Sequence, residues 1–166
     1  MWAAGVVEAQ IAPDGGAGAG HPKISVLRET TGSIGSIGMI VRGLDDIIGT
    51  ERDVRGPVWM SRRFLLADDG VGFSLNETTV EAGVVQVMWY KHHVEANYII
   101  EGEGEVENIA TGEVFPLKPG TMYTLDQHEK HRLTARTRLR IVCVFTPALT
   151  GRETHDADGS YEPSTG

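Results

Sequence analysis

The chain has 166 residues, with 23 acidic against 15 basic side chains and a formal net charge of −8 at pH 7. This length suits one domain with a sizeable core, and the acidic balance disfavours nucleic acid and anionic membrane surfaces as partners. The sequence contains no apolar run near the roughly 20 residues that span a bilayer, and it does not begin like a signal peptide. Its one cysteine, Cys143, excludes an internal disulfide. We therefore expect a cytoplasmic protein.

Residues 1–38 differ in composition from the rest of the chain. They are rich in glycine, with the tract GGAGAG and the repeat GSIGSIG, and they show little hydrophobic periodicity. This composition predicts an extension without fixed structure. At Met39 the stretch MIVRGLDDII opens a series of short apolar runs. We therefore predict a folded domain over residues 39–166, with its functional beginning at Met39.

The folded part reads as a series of short strands separated by turn sequences such as EGEG, ATG and KPG. Strands are predicted in RRFLLA, VGFSLNETTV, VVQVMWYK, ANYII, EVENI, EVFPL, TMYTL and LRIVCVF. A brief helix is predicted near Leu44 to Ile48. Many short strands at close spacing predict an all-β fold, an antiparallel barrel or sandwich. The polar tail, residues 147–166, is predicted to be a loop or a lid.

The segment GVVQVMWYKHHVEANYIIEG, residues 83–102, matches the spacing of the first sequence motif of cupin barrels. Its first and last glycines and Glu95 fall at the motif's positions. Trp89 and Lys91, however, stand where cupins place two metal-binding histidines. The resemblance implies the cupin double-stranded β-helix, a jelly-roll-like antiparallel barrel, with a metal site that is either lost or different.

The second cupin motif is present in part, because His131 follows Gly120 at the right distance while the turn residues between them differ. Glu95 and His131 are thus the two ligand positions that survive. Two protein ligands seldom hold a divalent ion against water, so a metal site needs a third. Tyr123 is a candidate because it shares a strand face with Leu125 near His131. The alternative is a core tyrosine whose hydroxyl group finds some buried partner.

Several sequence blocks resemble the ectoine synthase family, cupin-fold cyclases of compatible-solute biosynthesis. The blocks are MIVR, LLADDGVGFS, HHVEANYIIEGEGEVE, KPGTMYTLDQHEKH, CVFTPALTG and ETHDADGSY. General cupins share the barrel but lack Tyr123 and the CVF and ETHD elements. The resemblance implies that Glu95, Tyr123 and His131 hold a divalent metal, taken to be Fe(II).

The resemblance also implies a reaction, loss of water from N-γ-acetyl-L-2,4-diaminobutyrate to close the ring of ectoine, a solute made in osmotic stress. This is a hydro-lyase reaction. The resemblance further implies that the enzyme is a homodimer. Tyr123 and two residues of the tail, Glu153 and His155, are the implied catalytic residues, with the tail residues moving protons. The implied substrate-binding residues are Trp59, Ser61, Thr78, Tyr90, Cys143 and Phe145.

The chain departs from the family's pattern at a few positions. His92 replaces an asparagine, Met88 and Trp89 replace part of a histidine-containing run, and Thr146 replaces an asparagine before proline. These changes leave the three ligands intact, and we expect them to affect the shape and affinity of the pocket. Two other functions remain open from the residues: a small-molecule-binding cupin without turnover, and an iron-dependent oxygenase. The tyrosine and the ETHD tail disfavour both.

Overall fold

A computed structural model describes residues 38–153, 159–161 and 163. The described residues form two 3-10 helices, Leu44–Asp46 and Ala67–Asp69, and ten strands. The strands are β1 (Asp53–Arg55), β2 (Trp59–Leu65), β3 (Ser74–Val80), β4 (Val85–Met88), β5 (Val94–Glu101), β6 (Gly104–Asn108), β7 (Val114–Leu117), β8 (Met122–Leu125), β9 (His131–Ala135) and β10 (Leu139–Thr146).

Every strand predicted from the sequence is present, and the brief helix near Leu44 is a single 3-10 turn. Strands β1 and β9 were not predicted. No helix in the described part of the chain is long and apolar enough to cross a membrane. The extension predicted to lack fixed structure lies, apart from Gly38, outside the described residues, so that statement stays a prediction.

The strands form two antiparallel sheets, which confirms the predicted all-β antiparallel architecture. The larger sheet has the order β1-β2-β3-β10-β5-β8, and the smaller has the order β4-β9-β6-β7. The chain therefore crosses repeatedly between the sheets, because β4 belongs to the smaller sheet while β3 and β5 belong to the larger. The last strand, β10, lies between β3 and β5, so residues far apart in sequence share one sheet face.

The hydrophobic core is built from alternate residues of strands in both sheets, since successive strand side chains point to opposite faces. In β10 alternate residues from Leu139 to Phe145 are buried. In β9 the buried residues are His131, Leu133 and Ala135. His131 is therefore in register with two core residues, and its imidazole ring is buried with them.

The glycine at the end of the first motif, Gly102, occupies a position that no other residue fits. Its φ angle is +87°, and a Cβ atom there would lie 2.1 Å from the carbonyl oxygen of Arg138. The left-handed backbone and the close approach both require glycine. This turn ends β5 and so fixes the strand that carries Glu95.

A buried carboxylate anchors the first described residues to the larger sheet. Asp69 accepts hydrogen bonds from Arg42 at 2.6 Å and from Arg52 at 3.0 Å. Burial alone would raise the pKa of Asp69, but hydrogen bonds from Arg42, the Leu66 amide and Arg52 outweigh it and hold that pKa at about 2. Asp69 is therefore ionised throughout the neutral range.

Candidate metal and substrate site

The inner face of the larger sheet lines a cavity, to which β4 and β9 of the smaller sheet also contribute residues. The cavity brings together eight of the residues proposed from the sequence: Trp59, Ser61, Thr78, Tyr90, Glu95, Tyr123, Cys143 and Phe145.

Strand register explains why Glu95 and Tyr123 meet in this cavity. Glu95 of β5 pairs with Leu125 of β8, and Asn97 pairs with Tyr123. Tyr123 is thus the diagonal neighbour of Glu95 on the same sheet face, about 7–8 Å away between backbones, a separation that long side chains bridge. The pattern of alternate residues on β8 that suggested Tyr123 from the sequence gives the same face.

His131 reaches the site from the smaller sheet, as the first residue of β9. The loop after Leu125 brings its ring next to Tyr123, with ring centroids 6.4 Å apart. His131 lines a neighbouring cavity, and Tyr123 lines both cavities. The phenol ring of Tyr123 therefore stands between the cavity that holds Glu95 and the one that holds His131.

Two donor atoms of this trio are buried without a hydrogen-bond partner. Within the described residues, Oε2 of Glu95 and Nε2 of His131 have none, although Glu95 is 5% and His131 1% exposed. The other imidazole nitrogen of His131, Nδ1, lies 3.3 Å from the carbonyl oxygen of Glu129. A carbonyl only accepts, so Nδ1 carries the proton and Nε2 carries the lone pair that a metal requires.

Burial shifts the pKa of each group in the direction that favours its neutral form. It raises the pKa of Glu95 to about 8, with Asn97 partly opposing the shift. It raises the pKa of Tyr123 well above its usual value, and the negative charge of Glu95 adds to this. It lowers the pKa of His131, against the influence of Glu129. A cation among these groups would favour the carboxylate, the phenolate and the neutral imidazole.

The donor set fits a divalent metal only if the phenol takes part. In residues 38–153, 159–161 and 163, no three His, Cys, Asp or Glu side chains lie close enough to hold an ion. Glu95 and His131 supply one oxygen and one nitrogen, and Tyr123 supplies a second oxygen. Oxygen and imidazole donors suit Fe(II) and its neighbours among the transition metals.

Trp89 and Lys91, which occupy the cupin histidine positions, take no part in this cavity's lining. The indole Nε1 of Trp89 donates to the carbonyl oxygen of His128 at 2.8 Å. The ammonium group of Lys91 lies over the indole ring, 4.7 Å from its centroid. The two side chains therefore contact each other and the loop before β9.

The family departures fall mostly outside the cavity. His92 and Thr146 are exposed, and of the departing residues only Met88 lines the cavity, where its sulfur lies 3.4 Å from the hydroxyl group of Tyr90. Of these departures, only Met88 can therefore alter the shape of the pocket directly, through its contact with Tyr90.

Of the two tail residues proposed for proton transfer, Glu153 lies within the described residues and His155 does not. The carboxylate of Glu153 accepts hydrogen bonds from the hydroxyl and amide of Thr150 and from the amide of Gly151. These bonds outweigh burial and lower the pKa of Glu153, so it is a carboxylate at neutral pH. Glu153 is absent from the residues lining the cavity. His155 lies outside the described residues.

Several cavity residues were missed by the sequence analysis. Asn76 and Asn97 are buried polar residues on β3 and β5, and Tyr161 comes from the polar tail. Within the described residues, Oδ1 of Asn76 and Nδ2 of Asn97 have no hydrogen-bond partner. A polar residue on a strand normally faces solvent. The one indication from the sequence is that these two asparagines lie on the same inward strand faces as Glu95 and Cys143.

Comparison with known proteins identifies the family of the chain. The family model for ectoine synthase matches residues 39–165. L-ectoine synthase from Oceanobacillus iheyensis is 60% identical over 123 residues, covering 74% of this chain and 96% of the relative. L-ectoine synthase from Desulfatibacillum aliphaticivorans is 55% identical over 125 residues, covering 74% and 96%.

A solved structure agrees in both fold and sequence. The crystal structure of ectoine synthase from P. lautus superposes with a TM-score of 0.69 at 55% sequence identity, covering 73% of this chain and 87% of that one. Family model, relatives and structure agree over most of the chain, including every strand that builds the cavity. The chain belongs to the ectoine synthase family, with the cupin fold implied by its two motifs.

Proposed function

We propose that this cavity closes N-γ-acetyl-L-2,4-diaminobutyrate to ectoine with loss of water, the hydro-lyase reaction of the family. The observation that carries the proposal is that Tyr123 lines both the cavity of Glu95 and the cavity of His131, while Oε2 of Glu95 and Nε2 of His131 are buried without hydrogen-bond partners among the described residues. In the reaction, the α-amine attacks the acetamide carbonyl carbon, and the carbonyl oxygen leaves as water.

Glu95, Tyr123 and His131 hold a divalent metal, Fe(II), in this proposal. When bound, the metal supplies Lewis acidity toward the oxygen that leaves the acetamide. Tyr123 also acts as a catalytic residue in this proposal. Its phenol lines both cavities and so contacts the oxygen that leaves the acetamide. The role of the protein is to keep the three donors fixed before the substrate arrives, which the strand register of β5 and β8 supports.

Substrate binding depends on the mixed character of the cavity wall. Phe145 and Tyr90 meet edge to face, with centroids 5.2 Å apart, and form a rigid apolar side. Ser61 and Thr78, which pair across β2 and β3, offer hydroxyl groups beside Trp59. The aromatic side excludes water and holds the flexible diamine in a folded conformation, which brings its amine near the carbonyl carbon. The hydroxyl groups bind its polar ends.

Proton transfer falls to Glu153 and His155 of the tail. Glu153 remains a carboxylate at neutral pH because Thr150 and Gly151 donate hydrogen bonds to it. A carboxylate is the form that accepts the proton released by the attacking amine. His155 lies two residues further along and would return a proton to the leaving oxygen.

Assembly and location complete the proposal. Cupin-type barrels leave sheet edges that pair across a two-fold axis, and β8 is such an edge in the larger sheet. We expect a homodimer in the cytoplasm, working in osmotic stress. Light scattering at micromolar concentration should return twice the chain mass, and a monomer mass would count against the pairing.

A direct assay separates this function from the alternatives. The purified protein is incubated with the acetylated diamine, with and without Fe(II), both in the absence of oxygen and in air, and the products are identified by NMR. Ectoine formation that depends on Fe(II) supports the proposal. Binding of the diamine without product would indicate a binding protein, and product formation only with oxygen would indicate an oxygenase.

A further inference from the structure

Residues 159–161 are held against the turn between β4 and β5 by two hydrogen bonds. The amide of Trp89 donates to the carbonyl oxygen of Gly159 at 3.3 Å. The amide of Lys91 donates to the hydroxyl oxygen of Ser160 at 3.2 Å, and Ser160 is 1% exposed. These bonds tie residues 159–161 to the turn between β4 and β5.

Gly159 allows this close approach. Its φ angle is +73°, and a Cβ atom there would lie 2.5 Å from the carbonyl oxygen of Val87. Only glycine combines this backbone conformation with this contact. The position of the next two residues, Ser160 and Tyr161, is therefore fixed by main-chain geometry.

Tyr161 carries the segment into the substrate cavity. Its side chain is 8% exposed and lines the cavity. Its ring centroid lies 5.1 Å from that of Tyr90 and 5.8 Å from that of Phe145. The three rings form one continuous apolar wall, to which β10, the turn between β4 and β5, and the tail each contribute one ring. The block ETHDADGSY carried the family resemblance, but Tyr161 itself was not assigned to the cavity from the sequence.

We propose that Tyr161 is a specificity-determining residue that limits the length of the acyl group on the substrate, a role that rests on the proposed function. The substrate carries a carboxylate, an amine and an amide, and the methyl of its acetyl group is its only apolar end. That methyl group matches the wall formed by Tyr161, Tyr90 and Phe145, while the amide oxygen is directed toward Glu95 and Tyr123. A longer acyl chain would meet the ring of Tyr161, which is buried and packed against the rings of Tyr90 and Phe145.

The test compares two substrates that differ by one methylene, the N-γ-acetyl and N-γ-propionyl forms of L-2,4-diaminobutyrate. The preference is the ratio of kcat/KM for the two. One methylene in a fitted pocket is worth about 10–200-fold. We expect Tyr161→Ala to reduce the preference for the acetyl form by at least about 10-fold, because truncation opens space for the extra methylene. Tyr161→Phe keeps the ring and should keep the preference.

The ratio is unaffected by a loss of folded protein, since both substrates meet the same enzyme. Tyr98→Ala is the matched control, because Tyr98 is exposed on the outer face of β5. If Tyr161→Ala does not fold, Tyr161→Leu removes the ring while keeping an apolar side chain and gives the same comparison. An unchanged preference in the ringless variant overturns the role of Tyr161 alone. Absence of product from the unaltered protein with the acetyl form overturns the proposed function and this role together.

Discussion

The indole nitrogen of Trp89 and the carbonyl oxygen of His128 are 2.8 Å apart and hydrogen-bonded. The bond joins the turn before β5 to the turn before β9. The ring of His128 adds a second tie, because its Nδ1 lies 2.9 Å from the carbonyl oxygen of Tyr90. Trp89, at a position where other cupins have a metal-binding histidine, therefore fixes the loop that leads into His131.

Replacing Trp89 by phenylalanine tests this structural role. Trp89→Phe keeps an aromatic ring but removes the donor, so we expect the free energy of unfolding to fall by about 1 kcal/mol. Metal content should stay at the level of the unaltered protein, as measured by elemental analysis of purified samples. The double replacement Trp89→His with Lys91→His should add no metal. Loss of most of the metal from Trp89→Phe would place the indole in the metal site and contradict the assignment.

A matched pair of variants distinguishes two possible roles of Glu153, as a proton acceptor in catalysis and as a hydrogen-bond acceptor that closes its own turn. Glu153→Gln keeps the shape of the side chain but removes the proton acceptor, so turnover should fall by about 100-fold or more. Thr150→Ala removes the hydrogen bond from the hydroxyl to Glu153 and the one that the hydroxyl accepts from the Arg152 amide, but it leaves the carboxylate, so its turnover should fall far less. The measurement is kcat under saturating substrate. Equal losses in the two variants would mean that the carboxylate only closes the turn.

Asp69 gives the fold a defined dependence on pH. Its folded pKa of about 2 lies below its ordinary value of 3.8, so its contribution to stability is present above pH 4 and is lost as the pH falls toward 2. We expect Asp69→Asn to lower the free energy of unfolding at pH 7 by about 1–2 kcal/mol. Denaturant unfolding at several pH values should show the difference between the two proteins shrinking below pH 4. A difference that stays constant down to pH 2 would contradict the role of the ion pairs.

The extension can be tested by removal. A chain that begins at Met39 should keep the melting temperature and the turnover of the full chain, because residues 1–38 lack a pattern of residues to bury. Differential scanning calorimetry and the ectoine assay measure both. Arg42→Ala in the shorter chain serves as a control, since loss of its bonds to Asp69 should lower the melting temperature. A large loss on removing the extension would show that it packs on the barrel.

Local pattern predicted most of the strands and failed where the inward residues are not conventional core residues. Strand β9 was missed because its buried face presents His131, Leu133 and Ala135, a histidine and a small residue around one leucine. Strand β1 has three residues, Asp53–Arg55, two of them charged, and lies at a sheet edge. Neither segment shows the apolar alternation by which strands are recognised.

The site was predictable to the extent that it depends on spacing along single strands. Glu95 and Tyr123 follow from alternation on β5 and β8, together with the family resemblance. The hydrogen bonds of Glu153 within its own turn, and the position of Tyr161 in the cavity, depend on contacts between segments distant in sequence or on turn geometry. Such contacts leave no local periodic signal, so the pattern alone places both residues on a solvent-exposed tail, and only the family resemblance assigned a role to Glu153.

The metal content of Tyr123→Phe, measured after anaerobic loading with Fe(II), tests the central claim most directly. The variant removes one oxygen and keeps the ring that stands between the two cavities. With only Glu95 and His131 left, the site competes poorly with water, so we expect most of the iron and nearly all ectoine formation to be lost. Tyr98→Phe, at an exposed position of β5, should keep both. Full iron occupancy with normal ectoine formation in Tyr123→Phe would contradict the assignment and make Tyr123 a core residue.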